Sequence, residues 1–532
     1  MAVLISGIDF GTANTVIVGW DENQQQAQPL AVPEYSAMVQ QGDEQIPIIP
    51  SLIHYASANM CWIGNQVKQR GLYHSRHTLR WMKQYIKNRS PIQIEMEGKT
   101  ITPAQAGKDF LSTILTFMQE QNPAAQLKVG FSVPVDAFEH YQNWLAGFSE
   151  QLNFRDFMLV DEPVAAAIGY GATSQPGSVV FIFDFGGGTL HTSMVKIESD
   201  PGSSNQRLCR VLGKAGKNLG GMRIDQWLYQ HFLQRAGLNE NLIAIRENSN
   251  QILTECEYVK EKISFQDAFQ RQLSIPGLQQ PLNLSISQSE FEELLDRQEL
   301  FTQIGFTIRA ALNQAREKGY DEEQIHSILL IGGSSLIPSV QRYIRQMFGK
   351  DRVFLHRPLD AVARGVALFT SGAAALDHIH HDYAIRYLDN HNQKYAYQTI
   401  IRSGTGYPTP EPVARLTIKA SYDGQKKLGL AIFEMSAKNS ASKNPDHFEL
   451  IFDARGSARI FQIPPQQMEE QQLFFVNEQS PTFLIADPPA EAGAPRFEVY
   501  FTIDHKKRLC VTAVDLLSGM SLLSDQPVIR LT

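Results

Sequence analysis

At about 150 residues per domain, 532 residues make three or four domain-sized units. Hydrophobic residues at 43% and charged residues at 19% exclude wholesale disorder, a coiled coil and a collagen-like repeat. The 48 basic against 55 acidic side chains give a net charge of -7 with no long basic run, which excludes an electrostatic footprint for nucleic acid or an anionic membrane.

The chain opens on Met1 to Ile5, an apolar stretch without a basic flank that runs into Asp9, so it reads as a strand and not as a signal peptide. No apolar run approaches the roughly 18 residues of a membrane-spanning helix. Cys61, Cys209, Cys256 and Cys510 form no CxxC pair and read as free thiols in a reducing compartment. A soluble cytoplasmic protein is expected.

Leu4 to Gly19 is an apolar strand, an Asp9-Phe-Gly11-Thr12 turn and a β-branched strand. Val179 to Val195 repeats the device, with Asp184-Phe-Gly186-Gly187-Gly188-Thr189 at the tip. Glycine tips let backbone amides approach a phosphate closely. Asp9 and Asp184, one at each tip, suit a hydrated Mg²⁺ held between them. Between the copies, Leu159 to Gly171 reads as a strand ending at Glu162, with Pro163 opening an alanine-rich helix. Helical spacing covers Asp225 to Arg235 and Ser289 to Lys318. Ser327 to Gln341 then reads as strand, glycine turn at Gly332-Gly333-Ser334, and a helix begun near Pro338. Up to residue 371 the pattern is α/β. Beyond it come short alternating strands, such as Arg415 to Gly424, Phe448 to Phe452 and Arg496 to Ile503, closing on Pro527 to Leu531. Ser436 to Pro445 and Asp487 to Pro495 read as loops.

At these residues the sequence resembles the 70-kDa heat-shock (DnaK-like) chaperone family. Five segments match in the family's order: Gly7 to Thr12, Asp161 to Gly171, Ile182 to Thr189, Leu219-Gly220-Gly221, and Ile331 to Ser334. Phe497 through Asp515 to Gly519 is similar to the last hairpin of its β domain. The resemblance implies an α/β actin-like, ribonuclease-H-like duplicated ATPase domain followed by an all-β sandwich domain of the substrate-binding kind. The boundaries are residues 1–371, in two lobes of about 1–175 and 176–371, a linker at 372–382, and a β domain at 383–532 with no helical lid.

The implied activity is ATP binding and hydrolysis coupled to binding of unfolded or extended polypeptide. ATP or ADP with Mg²⁺ is the cofactor, and a J-domain co-chaperone and a nucleotide-exchange factor are partners. Lys68 falls where the family's lysine contacts the γ-phosphate and orients the attacking water, a cation for charge on the phosphoryl oxygens. Glu162 and Asp184 match the acids that organise Mg²⁺ and the water, with Asp9 beside them, and Thr189 and Thr12 match phosphate-contacting hydroxyls. Catalysis is thus assigned to Lys68, Glu162, Asp184 and Thr189. Nucleotide contacts fall on Gly11, Thr12, Ala13, Asn14, Lys68, Gly186, Gly187, Gly188, Thr189, Gly220, Gly221, Gly332, Gly333 and Ser334. Cys256 to Ser264 resembles the adenosine-binding helix, with Glu257, Lys260 and Ser264 on one face.

Departures from the family pattern accompany the matches. Glu261 and Leu336 stand where the family has arginines against the adenine, which weakens or relaxes base recognition. Leu190-His191 replaces Phe-Asp, removing a carboxylate near the metal, and Ala13 replaces a hydroxyl. Slow hydrolysis is expected. Gln142, eight residues after Pro134, replaces a relay arginine, and Ala373 to Asp377 replaces the leucine-rich linker. These changes keep a second reading open, a nucleotide-gated scaffold that binds ATP with little or no hydrolysis.

Overall fold

The computed structural model describes residues 2–532 except 136, 152–155, 172–174, 200–206, 356, 390–393, 436–447, 453–457, 463–472, 479 and 506. The chain divides into two compact units, one of residues 1–135, 144–375 and 448–462, the other of 136–143, 376–447 and 463–532.

In the first unit the duplication read from sequence is a duplication of topology. The hairpin Ala2–Phe10 with Asn14–Asp21 gains Ala125–Val133 as a parallel neighbour of its first strand, then Asp156–Asp161 in parallel beyond that. The hairpin Val179–Phe185 with Leu190–Ser199 gains Ile325–Ile331 and then Val353–Phe354 in the same way. Parallel neighbours must be buried on both faces, and Val179–Phe185 is accordingly apolar and buried at six of seven positions, Asp184 excepted. The helix Ala361–Ser371 packs on Glu162–Gly171 and on the first sheet. Its Gly365 meets the backbone of Ala165, an approach that leaves no room for a side chain.

The helix read over Asp225 to Arg235 starts four residues earlier, as Gly221–Arg235. The stretch read as one helix from Ser289 to Lys318 is two, Gln288–Arg297 and Leu300–Glu317. Ser287 starts the first with a capping box to Glu290. Glu299, at φ 55°, turns the chain into the second. Pro338 occupies the first turn of Pro338–Phe348.

Within 372–382, Ala374–Leu376 adds as an edge strand to the second sheet. His378 and His381 are buried. His381 Nδ1 lies 3.0 Å from Glu434 Oε1, to which the Tyr383 hydroxyl donates at 2.6 Å.

Among the described residues there is no helix beyond Gly372. One sheet runs Lys394–Ile401, Asp382–Asp389, Ile432–Met435, Leu473–Phe475, and another Ala414–Lys419, Pro495–Ile503, Arg508–Asp515, Ser521–Arg530. Phe497, Val499 and Phe501 point inward at period two into the core of this unit, together with Tyr383, Leu430 and Val511. Of the two expected loops, Ser436 to Pro445 lies outside the described residues, and Asp487 to Ala490 belongs instead to the strand Thr482–Ala490. The four cysteines are unpaired. Among the described residues no helix is long and apolar enough to cross a membrane.

Candidate active site

The site of the first unit is built from three glycine turns. Gly11 N–H donates to the Asp9 carbonyl at 3.1 Å and Gly186 N–H to the Thr189 carbonyl at 3.0 Å, closing the two hairpin tips. A Cβ on Gly188 would stand 2.6 Å from Thr12 Oγ1, so the tips touch and admit no side chain there. At the third turn Gly332 has φ +79°, and its Cβ would stand 2.5 Å from the Phe185 carbonyl oxygen and 2.7 Å from Asp184 Oδ1. Both the left-handed backbone and the close approach demand glycine. Ser334 Oγ and Gly221 N–H both donate to the Gly186 carbonyl, at 2.8 and 3.0 Å.

These turns enclose a cavity of about 490 Å³. Asp9, Gly11, Thr12, Ala13, Asn14, Lys68, Glu162, Asp184, Gly186, Gly187, Gly188, Thr189, Glu257, Lys260, Ser264, Gly332, Gly333 and Ser334 all line it. Gly220 and Gly221 do not; Gly220 packs on the backbone of Gly187 and Gly188 and so supports the second tip.

Charge inside the cavity is unevenly neutralised. Glu162 is 4% exposed; one carboxylate oxygen takes the Lys83 ammonium and the other lies 2.9 Å from His191 Nδ1. Burial pushes its pKa up, but Lys83 and His191 outweigh it and hold the group at about 2. Asp184 is driven the other way, to about 7, by burial and by the nearby Glu162. Its carboxylate has no hydrogen bond or ion pair among the described residues. Asp9 accepts from Ser132 Oγ at 2.7 Å, and burial raises it as well. Two desolvated carboxylates with no ion pair among the described residues therefore face the cavity, a donor set that fits a hydrated divalent ion on Asp9 and Asp184. Glu162 differs from the expectation in having both oxygens engaged by side chains.

The two lysines divide the cleft. Lys68 is exposed, with Nζ 5.8 Å from the Tyr73 ring, and its charge acts on Glu257 and Glu261. Lys83 is the cation on Glu162. Lys83 belongs to none of the sequence motifs. In the fold every residue of Met82–Lys87 is buried.

At the other end Glu257 accepts from the Tyr73 hydroxyl at 2.7 Å, and Lys260 Nζ lies 2.8 Å from Asp225. Ser264 Oγ is turned back to the Lys260 carbonyl at 2.8 Å. Glu261 and Leu336 both line the cavity, beside Phe265 and Ile337.

A family model described as Hsp70 protein matches residues 88–380. The chain is 25% identical to "Chaperone protein HscA homolog" of Shewanella denitrificans, over 97% of this chain and 77% of that protein. It is 26% identical to "Chaperone protein DnaK" of Thermotoga petrophila, over 97% and 79%. It is 23% identical to "Chaperone protein DnaK" of Thermus thermophilus, over 68% and 60%.

Proposed function

This chain belongs to the Hsp70 family, and from that premise we propose that it is a cytoplasmic, ATP-dependent chaperone whose first unit is an actin-like ATPase. The observation that carries the reading is the pair of glycine tips, each with a carboxylate, facing one cavity with the cations Lys68, Arg80, Lys83 and Lys260 on its walls. Glycine amides approach phosphate oxygens and the lysines balance their charge. Asp9 and Asp184 would hold Mg²⁺ through water, which would screen the phosphates and polarise the bond to the leaving group. Lys68 reaches the transferred phosphoryl group from the nucleoside end, and Lys83 fixes the carboxylate of Glu162 from the other. Thr12 and Thr189 donate to phosphate oxygens, while Glu257, Lys260 and Ser264 bound the ribose.

The second unit is read as a sandwich-type β domain that binds extended polypeptide, and Tyr387 and Leu388, exposed on Asp382–Asp389, support an apolar contact surface. A J-domain co-chaperone and a nucleotide-exchange factor are the partners that the family implies.

One observation favours the non-hydrolysing alternative. With both oxygens of Glu162 engaged and its pKa held at about 2, it is a weak proton acceptor. Single-turnover hydrolysis of labelled ATP, with protein in excess, separates the two readings. Conversion to ADP that is lost in Lys68→Ala supports the ATPase. ATP that stays bound and intact leaves a nucleotide-gated binding protein.

A further inference from the structure

Asp184 and His191 are directly opposed across the hairpin formed by Val179–Phe185 and Leu190–Ser199. Cross-strand partners project to the same face of a sheet, and Glu162, at the start of the helix Glu162–Gly171, projects to the same place. One ligand atom from each of Glu162, Asp184 and His191 lies within 4.8 Å of the others. Glu162 is 4%, Asp184 8% and His191 0% exposed. An ion with bonds of about 2.0–2.2 Å places its ligand atoms about 3–3.6 Å apart, so small side-chain movements close the triad on a cation. Independently of that spacing, Asp184, a residue 8% exposed, has no hydrogen bond or ion pair among the described residues and lines the cavity beside this point.

The donors decide the ion. Mg²⁺ demands oxygen ligands and dehydrates reluctantly, whereas an imidazole nitrogen beside two carboxylates suits Mn²⁺, Co²⁺, Ni²⁺ or Zn²⁺. Lys83 sits on the Glu162 oxygen away from His191, which leaves the oxygen 2.9 Å from Nδ1 for the ion. We propose that Glu162, Asp184 and His191 form a site for a first-row transition dication, bound directly through the imidazole and preferred to Mg²⁺. The ion is held by the protein alone, so the inference goes beyond nucleotide binding and does not depend on it. Entry of the ion replaces the 2.9 Å contact between His191 Nδ1 and Glu162 Oε2, and any proton held there leaves to solvent. Three protein ligands leave positions open toward the cavity.

The test is titration of the metal-stripped, nucleotide-free full chain with Co²⁺, read by visible d–d absorption and calorimetry. The expected result is one saturable site per chain whose bands a large excess of Mg²⁺ does not displace. His191→Asn and Asp184→Asn are each expected to weaken Co²⁺ binding by about tenfold or more. Absence of bands, equal competition by Mg²⁺, or unchanged affinity in a folded variant overturns the proposal. If circular dichroism finds His191→Asn unfolded, Asp184→Asn decides alone, and if both are unfolded the Mg²⁺ competition in the wild type decides. No nucleotide is present, so failure of ATP binding cannot produce any of these outcomes.

Discussion

His191 Nδ1 lies 2.9 Å from Glu162 Oε2, while the other carboxylate oxygen of Glu162 takes Lys83. A single buried carboxylate is thus held ionised by two groups from different parts of the chain. Removing one member of such an arrangement leaves charge stranded in a low-dielectric interior, at about 3–5 kcal/mol. Lys83→Met is therefore expected to lower the unfolding free energy in urea by that order. Glu162→Gln in the same background should recover part of the loss, and a fully additive double mutant would refute the coupling.

The same carboxylate sets an acid limit. Its pKa in the fold, about 2, lies below the ordinary 4.5. The associated stabilisation is fully present above pH 4.5 and is lost as pH falls toward 2. In paired pH titrations of stability, the difference between wild type and Glu162→Gln should shrink across that window. A constant difference would mean that Glu162 is not held ionised.

Asp225 behaves oppositely. Burial, outweighing the Lys260 ammonium at 2.8 Å, raises it from 3.8 to about 7. The native state then holds a proton that the unfolded chain releases near pH 4, so this contribution falls as pH rises from about 4 to 7. Asp225→Asn should become more favourable relative to wild type over that range, measured by thermal unfolding at several pH values.

Much of this site was legible in the sequence for a definite reason. Phosphate loops are local, and the Asp-Phe-Gly tips at Asp9 and Asp184 bring their strands, turn and carboxylate within residues 2–21 and 179–199, so spacing alone locates them. Lys83 was not legible, because its role depends on Met82–Lys87 packing beside Glu162, 79 residues away. The burial of His381 likewise depends on a distant residue, Glu434, whose Oε1 lies 3.0 Å from its Nδ1. The break at Glu299 was hidden because a left-handed residue between two amphipathic helices leaves the apolar period nearly intact.

Gly332 and Gly333 offer a controlled pair. A Cβ on Gly332 collides with the Phe185 carbonyl and Asp184 at positive φ, whereas one on Gly333 meets nothing within 4 Å. Gly332→Ala should cost about 2–4 kcal/mol of stability and abolish binding of a fluorescent ATP analogue. Gly333→Ala should change stability by less than about 0.5 kcal/mol. Equal behaviour of the two would disprove the packing argument.

The base end of the cavity supplies the last expectation. Glu261 and Leu336 line it where no cation replaces them, and burial together with Glu257 raises the Glu261 carboxyl above its ordinary value. At these two positions a negative or apolar side chain gives a purine no cation to stack on, and a cation–π contact is worth about 0.5–2 kcal/mol. Glu261→Arg with Leu336→Arg should therefore tighten ATP by about tenfold in a fluorescence titration, with Leu336→Arg alone giving part of the gain. The phosphate end is untouched by these changes, so inorganic phosphate competition should stay constant. Tightening of ATP without that constancy would mean that the arginines attract the phosphates, and no tightening would mean that the base lies elsewhere.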